Sequence, residues 1–314
     1  MKDIIVVGEL NVDIILDGLT FIPEMNREST ANRMETVLGS SSAIFASNIS
    51  TMGRQVSFIG KLGVDDYADL IIANLHLKNV DTTHIVFDDK VKTGATVILN
   101  FAEDRMMITY PGSMAHFSIA DVPPETLQHA NHLHFSSFFI QPGIRKNVLD
   151  LMRMAKDAGL TTSIDLQWDP EESWDFDYAS ILPYVDVFLP NEAEILALTG
   201  EADLLKAIAR LEAHANIIAV KCASKGCLVA HQGQVISRPA YLNPQVVDAI
   251  GAGDSFNAGF ICKFKQGASL SDCADFANLM GAISTTAVGG TMAFESKRKI
   301  EETALNKFNK VIEL

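Results

Sequence analysis

Short runs of hydrophobic residues alternate with amphipathic stretches along most of the chain. The first run, residues 3–8 (DIIVVG), is rich in β-branched residues and ends in glycine, which is typical of a buried parallel strand. Similar runs occur at Val56–Ile59, Leu133–Phe135, Thr161–Asp165, Val185–Leu189, Ile217–Lys221 and Gly226–Ala230. Helical periodicity lies between most of them, at Ser42–Met52, Asp66–Lys78, Gly143–Ala158, Glu192–Thr199 and Asp203–Ala213. This alternation predicts a doubly wound α/β fold, with a parallel sheet covered on both faces.

Two stretches, residues 12–38 and 93–110, break the alternation because they contain strand patterns with no helix between them. The strand patterns are Val12–Leu16, Arg33–Leu38, Ala95–Phe101 and Met106–Tyr110. We expect them to pair as a small antiparallel sheet that projects from the main body. Such a sheet beside a strand end is suited to act as a lid that excludes water. A structural or dimer-forming flap fits the same pattern.

Composition narrows the class of protein. The chain has 314 residues, enough for one large α/β domain or two smaller ones, and 48% of them are hydrophobic. Its formal net charge of −14 argues against a nucleic-acid binder, because clustered Lys and Arg are not in excess. The N-terminal apolar run is too short for a signal peptide and no run is long enough to span a membrane. The four cysteines form no CxxC pair, so we expect reduced thiols and a cytoplasmic protein.

The most informative segment is residues 246–261 (VVDAIGAGDSFNAGFI). Small residues at 251–253 precede Asp254 and an apolar-periodic run, which predicts a loop that turns into a helix at Asp254. The free N–H groups and the dipole of such a helix start favour an anion such as phosphate. A carboxylate inside an anion site is costly unless it accepts a proton, so the segment indicates phosphoryl transfer. Taken alone, it also fits a tight turn with Asp254 as a simple helix cap.

Through this segment and several others, the chain resembles the ribokinase-like, or PfkB, carbohydrate kinases over essentially its full length. The C-terminal family signature is met at Asp248, Gly251, Ala252, Gly253, Asp254, Ala258, Gly259, Phe260 and Ile261. Looser matches are Gly8 with Asn11 and Asp13, Gly39, Ala46, Gly53, Gly63, the GKLGVDDYAD stretch from Gly60, Asn191 to Glu194, and Lys221 to Gly226. The departures are Ser40, Ile44, Ala223 and Ala249.

The resemblance implies a three-layer α/β/α body over residues 1–314 with a small β-lid, often shared in a dimer. It also implies ATP-dependent phosphorylation of a hydroxyl, usually a hydroxymethyl group on a sugar or nucleoside. Asp254 would be the general base, which accepts a proton late in a loose transition state. The backbone N–H groups of the Gly251, Ala252 and Gly253 loop and of Asp254 itself would stabilise the charge on the transferred phosphoryl group.

The nucleotide would be held without a Walker lysine, because the chain has no GxxxxGK[ST] motif. By resemblance, the segment with Lys221, Ser224 and Gly226 contacts the nucleotide instead, with Asn278 near the adenine. Ser224 to Gly226 also fits a hairpin turn, and the two roles are compatible. Asn191 and Glu194 would order water around a phosphate-bound Mg²⁺, although Asn191 also fits a helix cap.

The acceptor would meet side chains from the first half of the chain. Asn11 and Asp13 share one face of a strand, and the Asp13 carboxylate suits two adjacent hydroxyls. Gly39, Ser40 and Ser41 occupy the family's diglycine stretch, whose second glycine is replaced by Ser40. Ile44 stands where the family has asparagine, so a polar sugar contact has become apolar and ribose itself is in doubt. Arg105 and Tyr110 in the lid are candidates to reach the acceptor or a phosphate, or to be structural.

The sequence contains two candidate cation sites. Asp248, by its side chain, and Ile250, by its carbonyl, match positions that help hold a monovalent cation in ribokinase, so potassium dependence is an open expectation. His129, His132 and His134 suggest a metal cluster, but cysteine or carboxylate co-ligands at matching spacing are absent from the sequence. We interpret them as ordinary, partly buried histidines.

The leading hypothesis is therefore an ATP-dependent sugar kinase. A nucleoside kinase of the same family is the alternative, and a non-catalytic nucleotide- or sugar-binding regulator is a third hypothesis. A homodimer formed through the β-lid is expected, since an exposed sheet edge invites pairing.

Overall fold

Nine strands form the main sheet and four form a smaller one in the computed structural model, which describes residues 2–101 and 104–314. The strands are β1 (Ile4–Val7), β2 (Asn11–Asp17), β3 (Arg33–Leu38), β4 (Val56–Leu62), β5 (Asp81–Phe87), β6 (Gly94–Phe101), β7 (Asp104–Tyr110), β8 (His132–Ser136), β9 (Thr161–Asp165), β10 (Val187–Phe188), β11 (Ile217–Lys221), β12 (Cys227–His231) and β13 (Gln234–Arg238). The order in the main sheet is β13-β12-β11-β10-β9-β8-β1-β4-β5.

The α-helices are α1 (Ser41–Thr51), α2 (Asp66–Leu77), α3 (Pro124–Leu127), α4 (Pro142–Arg145), α5 (Val148–Asp157), α6 (Tyr178–Ile181), α7 (Glu192–Thr199), α8 (Leu204–Glu212), α9 (Ala252–Phe264), α10 (Leu270–Ser284) and α11 (Lys297–Phe308). Within the described ranges, no helix is both long and apolar enough to cross a membrane.

Alternate residues of β1 belong to two different hydrophobic cores, one on each face of the sheet. Ile4 and Val6 pack with α1, α2, α9, α10 and α11, whereas Ile5 and Val7 pack with α5, α7 and α8. Because successive side chains of a strand point to opposite faces, a continuous apolar run buries both faces of a parallel sheet. The three-layer α/β/α fold predicted from the sequence is thereby confirmed.

The small sheet has the order β3-β2-β6-β7 and lies beside the carboxyl ends of the neighbouring strands β1, β4 and β5. Its β2/β3 and β6/β7 pairs are antiparallel, as predicted. The inner pair of β2 with β6 is parallel, because β2 continues from β1 and β6 follows β5, two strands that run in the same direction.

The structure differs from the predicted elements in three respects. β12 is antiparallel to β11, since residues 222–226 are too few for the crossover that a parallel partner needs. The helix predicted over residues 143–158 is split into α4 and α5 at residues 146–147, and Asn147 leaves the helical conformation with a φ of −111°. The edge strands β5 and β13 and the helices α10 and α11 were not predicted.

In the described part of the chain, the four cysteines are free and buried.

Candidate active site

The loop predicted to bind an anion ends at Gly251, which precedes α9 in the left-handed conformation with a φ of 73°. A Cβ atom at this position would lie 2.5 Å from Cα of Gly290, so only glycine fits. α9 begins at Ala252, two residues before the predicted start. The N–H group of Ala252 donates to the carbonyl of Ala249 at 3.3 Å. Gly253 and Asp254 belong to the first helical turn, whose N–H groups have no acceptor within the helix.

Asp254 is the third residue of α9 and therefore does not cap the helix. Its carboxylate is buried, and its Oδ1 atom accepts hydrogen bonds from the Ser41 hydroxyl and from Nε2 of Gln167, the latter at 3.1 Å. Burial raises the pKa of Asp254 to about 6, and the hydrogen bond from Ser41 opposes this rise. Asp254 is therefore mostly ionised at neutral pH and has a pKa suited to a general base.

A second buried carboxylate, Asp165 at the end of β9, organises the floor of the site. Its Oδ2 atom accepts hydrogen bonds from Nζ of Lys221 at 2.7 Å, from Nε2 of Gln167 at 3.2 Å and from Nδ2 of Asn257. Gln167 thus joins Asp165 to Asp254, and it has a positive φ of 60°. Asp165, Gln167 and Asn257 were not singled out in the sequence. Only the position of Asp165 at the carboxyl end of a predicted parallel strand could have indicated it.

Lys221 ends β11 and is almost completely enclosed. Burial lowers the pKa of its ammonium group, but the negative charges of Asp165 and Glu194 outweigh this effect and raise the pKa overall. Lys221 therefore stays protonated inside the protein.

Asn191 and Glu194 form a capping box at the start of α7. Nδ2 of Asn191 donates to Glu194 Oε1 at 2.6 Å, the backbone N–H of Asn191 donates to Oε2 at 2.8 Å, and the N–H of Glu194 donates to Oδ1 of Asn191 at 2.9 Å. Burial, together with the negative charge of Asp165, raises the pKa of Glu194 to about 7. Asn191 thus caps α7, as its position in the sequence allowed, and the capping box leaves lone pairs on Glu194 for a metal-bound water.

The charges around Lys221 fit a divalent cation. Asp165, Glu194 and Asp254 all act electrostatically on this single ammonium group, so the carboxylates outnumber it by three to one. Oxygen ligands and excess negative charge are what Mg²⁺ requires, with water completing its shell. The residues present therefore fit a Mg²⁺ ion that reaches the protein through water.

The candidate acceptor side is built from β2 and the start of α1. Nδ2 of Asn11 donates to Asp13 Oδ1 at 3.2 Å and to the Thr96 hydroxyl at 3.0 Å. A Cβ atom on Gly39 would lie 2.3 Å from Asp13 Oδ1, so the absence of a side chain gives this carboxylate its space. Burial raises the pKa of Asp13 to about 7, and the charges of Asp254, Asp248 and Glu9 contribute to the rise. The charge of Asp254 therefore influences the protonation of Asp13.

Glu9, which sequence reasoning missed, holds the turn that leads into α1. Its carboxylate accepts hydrogen bonds from the Ser42 N–H at 3.1 Å, from the Ser137 hydroxyl at 2.9 Å and from the Ser42 hydroxyl. Ser40 has a positive φ of 70°, caps α1 and donates to the Glu9 carbonyl at 2.6 Å. Burial raises the pKa of Glu9 to about 7.

Arg105 is not brought against these residues. It lies on β7 opposite Asn100 and is exposed, whereas Thr109, four residues further along, lies opposite Thr96 beside Asn11. At about 3.3 Å per residue, this places Arg105 roughly 13 Å away along the strand. Tyr110 is also exposed. A role of Arg105 in binding stays a prediction.

The predicted nucleotide residues lie along the β11–β12 hairpin and behind it. Ser224 is exposed in the turn, and Gly226 has a φ of 95° with no room for a Cβ atom against the carbonyl of Arg238. Nδ2 of Asn278 donates to the carbonyls of Arg238 and Pro239 at 3.2 Å and 3.1 Å. Asn278 thus ties α10 to the segment that follows β13.

The proposed monovalent-cation residues and Ile44 lie around the anion loop. Asp248 accepts the N–H groups of Ile250 and Gly289, each at 2.9 Å. The side chain of Ile44 is buried and packs against the backbone at Gly251 and Gly290. Ile44 therefore packs against the glycine loop and helps to hold its backbone in place.

Two of the three histidines that suggested a metal cluster are buried in the protein. His132 and His134 share one face of β8, and both hydrogen-bond the Ser163 hydroxyl at 2.8 Å. Burial lowers the pKa of His134 to about 3 and that of His132 well below its usual value. His129 is exposed. Within residues 2–101 and 104–314, no three His, Cys, Asp or Glu side chains are grouped to hold a metal ion directly.

An α/β fold with a glycine loop and a buried acid at a helix start is the arrangement expected of a phosphotransferase. The sequence pattern described as "pfkB family carbohydrate kinase" matches residues 1–297, and the chain belongs to this family.

Individual relatives agree with this assignment. An uncharacterized sugar kinase of Archaeoglobus fulgidus is 26% identical over 74% of this chain and 92% of its own length. A probable fructokinase-7 of Arabidopsis thaliana is 27% identical over 94% of this chain and 90% of its own. The crystal structure of a putative ribokinase II of E. coli in complex with ATP and Mg²⁺ superposes with a TM-score of 0.84 at 21% identity, over 96% of this chain and 98% of that one. This last likeness concerns the fold.

Proposed function

We propose that the protein is an ATP-dependent kinase that phosphorylates a hydroxyl group, preferably a hydroxymethyl group, of a small sugar. The observation that carries the proposal is the buried carboxylate of Asp254, held at the start of α9 beside the glycine loop by Ser41 and Gln167. Few structural tasks require an acid inside an anion-binding helix start, whereas phosphoryl transfer to an alcohol requires a proton acceptor there.

In the proposed reaction, the acceptor oxygen attacks the terminal phosphorus of ATP and its proton passes to Asp254. The bond between that phosphorus and the bridging oxygen breaks, and the electron pair leaves with ADP. Ser41 already donates to Asp254 Oδ1 and so marks the direction from which an acceptor hydroxyl would donate. N–H groups at the Gly251–Gly253 loop and at Asp254 stabilise the charge on the transferred group.

Asp13 and Asn11 form the acceptor side of the proposal, with Gly39, Ser40 and Ser41 as the adjoining wall. The Asp13 carboxylate shares its Oδ1 atom with Asn11 and has a second oxygen for a sugar hydroxyl. Arg105 enters the proposal only as a lid residue that contributes when the lid moves over the acceptor.

The nucleotide side comprises Lys221, Ser224, Gly226 and Asn278, and Mg²⁺ is held through water by Asn191 and Glu194. When bound, Mg²⁺ neutralises phosphate charge and orients the phosphates. A potassium ion at Asp248 and Ile250 is part of the proposal, and replacement of potassium by choline in the assay tests it.

We also propose a single kinase domain with a β-lid, and a homodimer formed through that lid. We place residues 1–314 in one kinase domain whose lid comes from residues 12–38 and 93–110. One face of the small sheet, with Met34, Met106, Ile108 and Tyr110, is apolar and exposed. A second copy of the chain that packs on this face would cover it and give a homodimer. The buried, free cysteines support a reducing, cytoplasmic setting.

A coupled ADP-release assay over pentoses, hexoses, keto-deoxy sugar acids and nucleosides tests the proposed function. We expect acceptor-dependent ADP release with at least one sugar. Release with nucleosides alone would favour the nucleoside kinase. No release with any acceptor, together with nucleotide binding, would favour the non-catalytic regulator and contradict the proposal.

A further inference from the structure

Lys221 lies between the two helix starts that face the proposed phosphate site. Its backbone N–H donates to the carbonyl of Pro190 at 2.9 Å, which places it beside Asn191 at the start of α7. Its side chain extends from there to α9, where a Cβ atom built on Gly253 would lie 3.8 Å from both Cδ and Nζ of Lys221. The ammonium group therefore reaches from the proposed Mg²⁺ residues to the anion loop.

The hydrogen bonds of the Lys221 ammonium group leave one of its N–H donors available near Gly253. Nζ donates to Asp165 Oδ2 at 2.7 Å and contacts Asn257 Oδ1 at 3.3 Å. A protonated lysine has three N–H donors, so one remains after these two contacts. The side chain is 12% exposed, and Asp165 is completely buried. The ion pair thus holds the ammonium group in one place, close to Gly253.

A structural ion pair would not need this placement. Replacing a buried ion pair by apolar residues is often neutral or stabilising, so burial alone does not explain why the chain keeps a charge here. The positive charge of Lys221 would stabilise an anion that enters beside Gly253. A pre-positioned cation in a site with little water stabilises the charge that develops on a phosphoryl group during transfer.

We propose that Lys221 is a catalytic residue that donates a hydrogen bond to the terminal phosphoryl group of the nucleotide throughout transfer. Asp165 is the positioning residue that holds Lys221 in place, assisted by Asn257. The proton stays on Lys221, and Asp254 alone accepts the proton of the acceptor. Lys221 thus supplies, from the end of β11, the ammonium group that a Walker loop would supply. This inference rests on the proposed function.

The test compares wild-type protein with Lys221→Met, which keeps the length of the side chain and removes the charge. We expect turnover to fall by about 10² to 10³. The dissociation constant for AMP-PNP, measured by calorimetry, should rise at least about tenfold, the value of one lost charge-assisted hydrogen bond. The dissociation constant for ADP, which lacks the terminal group, should change by less than about threefold.

Two further variants separate catalysis from folding. Lys156→Met breaks a comparable ion pair to Asp186, with an N–O distance of 2.8 Å, on another part of the protein, and should leave turnover and both affinities unchanged. The double variant Lys221→Met with Asp165→Asn removes both charges, so its thermal stability should recover relative to Lys221→Met while its turnover stays low.

Four results would overturn the inference. They are turnover of Lys221→Met within about threefold of wild type, equal losses of AMP-PNP and ADP affinity, normal turnover in the double variant, or loss of turnover in Lys156→Met. If the wild-type protein is active and the variant is equally active, only the role of Lys221 fails. If the wild-type protein binds neither nucleotide, the proposed function fails with it.

Discussion

The Ser41 hydroxyl donates a hydrogen bond to Asp254 Oδ1, although 213 residues separate the two in the chain. Ser41 begins α1, and Asp254 lies in the first turn of α9. The contact brings the candidate acceptor side and the candidate base together at one point. It also means that an acceptor hydroxyl must share or replace a hydrogen bond that Asp254 already receives.

Ser41→Ala should shift the pH dependence of the reaction. A hydrogen bond from Ser41 favours the ionised form of Asp254 and opposes the rise of its pKa to about 6. Without it, the pKa should rise by about one unit, since a hydrogen bond to a charged group contributes about 1.5 kcal/mol. The acidic limb of the kcat/KM profile should therefore move to higher pH.

Ser50→Ala is the matched control, because Ser50 lies on the same helix and donates to the carbonyl of Lys78. Its profile should coincide with that of wild type. An acidic limb that does not move in Ser41→Ala, or that moves to lower pH, would contradict this role of Ser41.

Gly253→Ala should separate stability from turnover. The new Cβ atom would meet only Lys221, at 3.8 Å, and alanine favours a helix over glycine by about 1 kcal/mol. The melting temperature should therefore rise or stay unchanged. Turnover should fall by about a hundredfold, because the methyl group occupies space where the phosphoryl group approaches the loop.

Gly251→Ala provides the contrast, since its left-handed backbone and the close Gly290 should cost about 2 kcal/mol of folding free energy. Differential scanning fluorimetry and the ADP assay report the two effects. Unchanged turnover in Gly253→Ala would show that the loop does not approach phosphate.

Glu9 should make the protein less stable as the pH rises. Burial raises the pKa of folded Glu9 from 4.5 to about 7, so between these values the folded protein binds more protons than the unfolded chain. The protonated form of Glu9 favours the folded state. This contribution to the free energy of unfolding is fully present below pH 4.5 and is lost as the pH rises through 7. Glu9→Gln should therefore flatten the decline of the melting temperature between pH 5 and pH 8, measured by calorimetry.

Glu125→Gln, at an exposed position, should leave the slope of wild type unchanged. Parallel curves for wild type and Glu9→Gln would show that Glu9 titrates normally in the folded protein.

Ile108→Glu should disrupt the proposed dimer. Ile108 is 60% exposed on the apolar outer face of the lid, so a charge there would be buried without a partner in a lid-to-lid dimer. Light scattering after size exclusion should give a dimer for wild type and a monomer for the variant. A wild-type monomer, or a variant that remains a dimer, would contradict pairing through this face.

Much of the fold could be predicted because its signals are local. Apolar runs such as Ile217–Lys221 fix buried strands, and the small residues before Asp254 fix a loop and a helix start. The edge strands β5 and β13 were missed because their outer faces carry polar or exposed residues and lack a continuous apolar run.

The missed site residues depend on contacts that no spacing in the sequence reveals. Asp165 was missed, whereas Lys221 was predicted as a nucleotide residue; the two meet across the short strand β10, and their pairing follows from the strand order β9-β10-β11. Glu9 is recognisable only once β1 and β8 are neighbours and Ser137 approaches it. Strand order depends on packing of the whole chain, so a single sequence does not reveal these contacts, even though the position of Asp165 at a strand end was a signal.

Asp254→Asn tests the central claim most directly, because the amide keeps the shape of the carboxylate and cannot accept the proton. With the acceptor found in the ADP-release panel, turnover should fall by about 10³ or more, while AMP-PNP affinity stays within about threefold and the fold is retained. Turnover within about tenfold of wild type would contradict the account that Asp254 is the general base of this kinase.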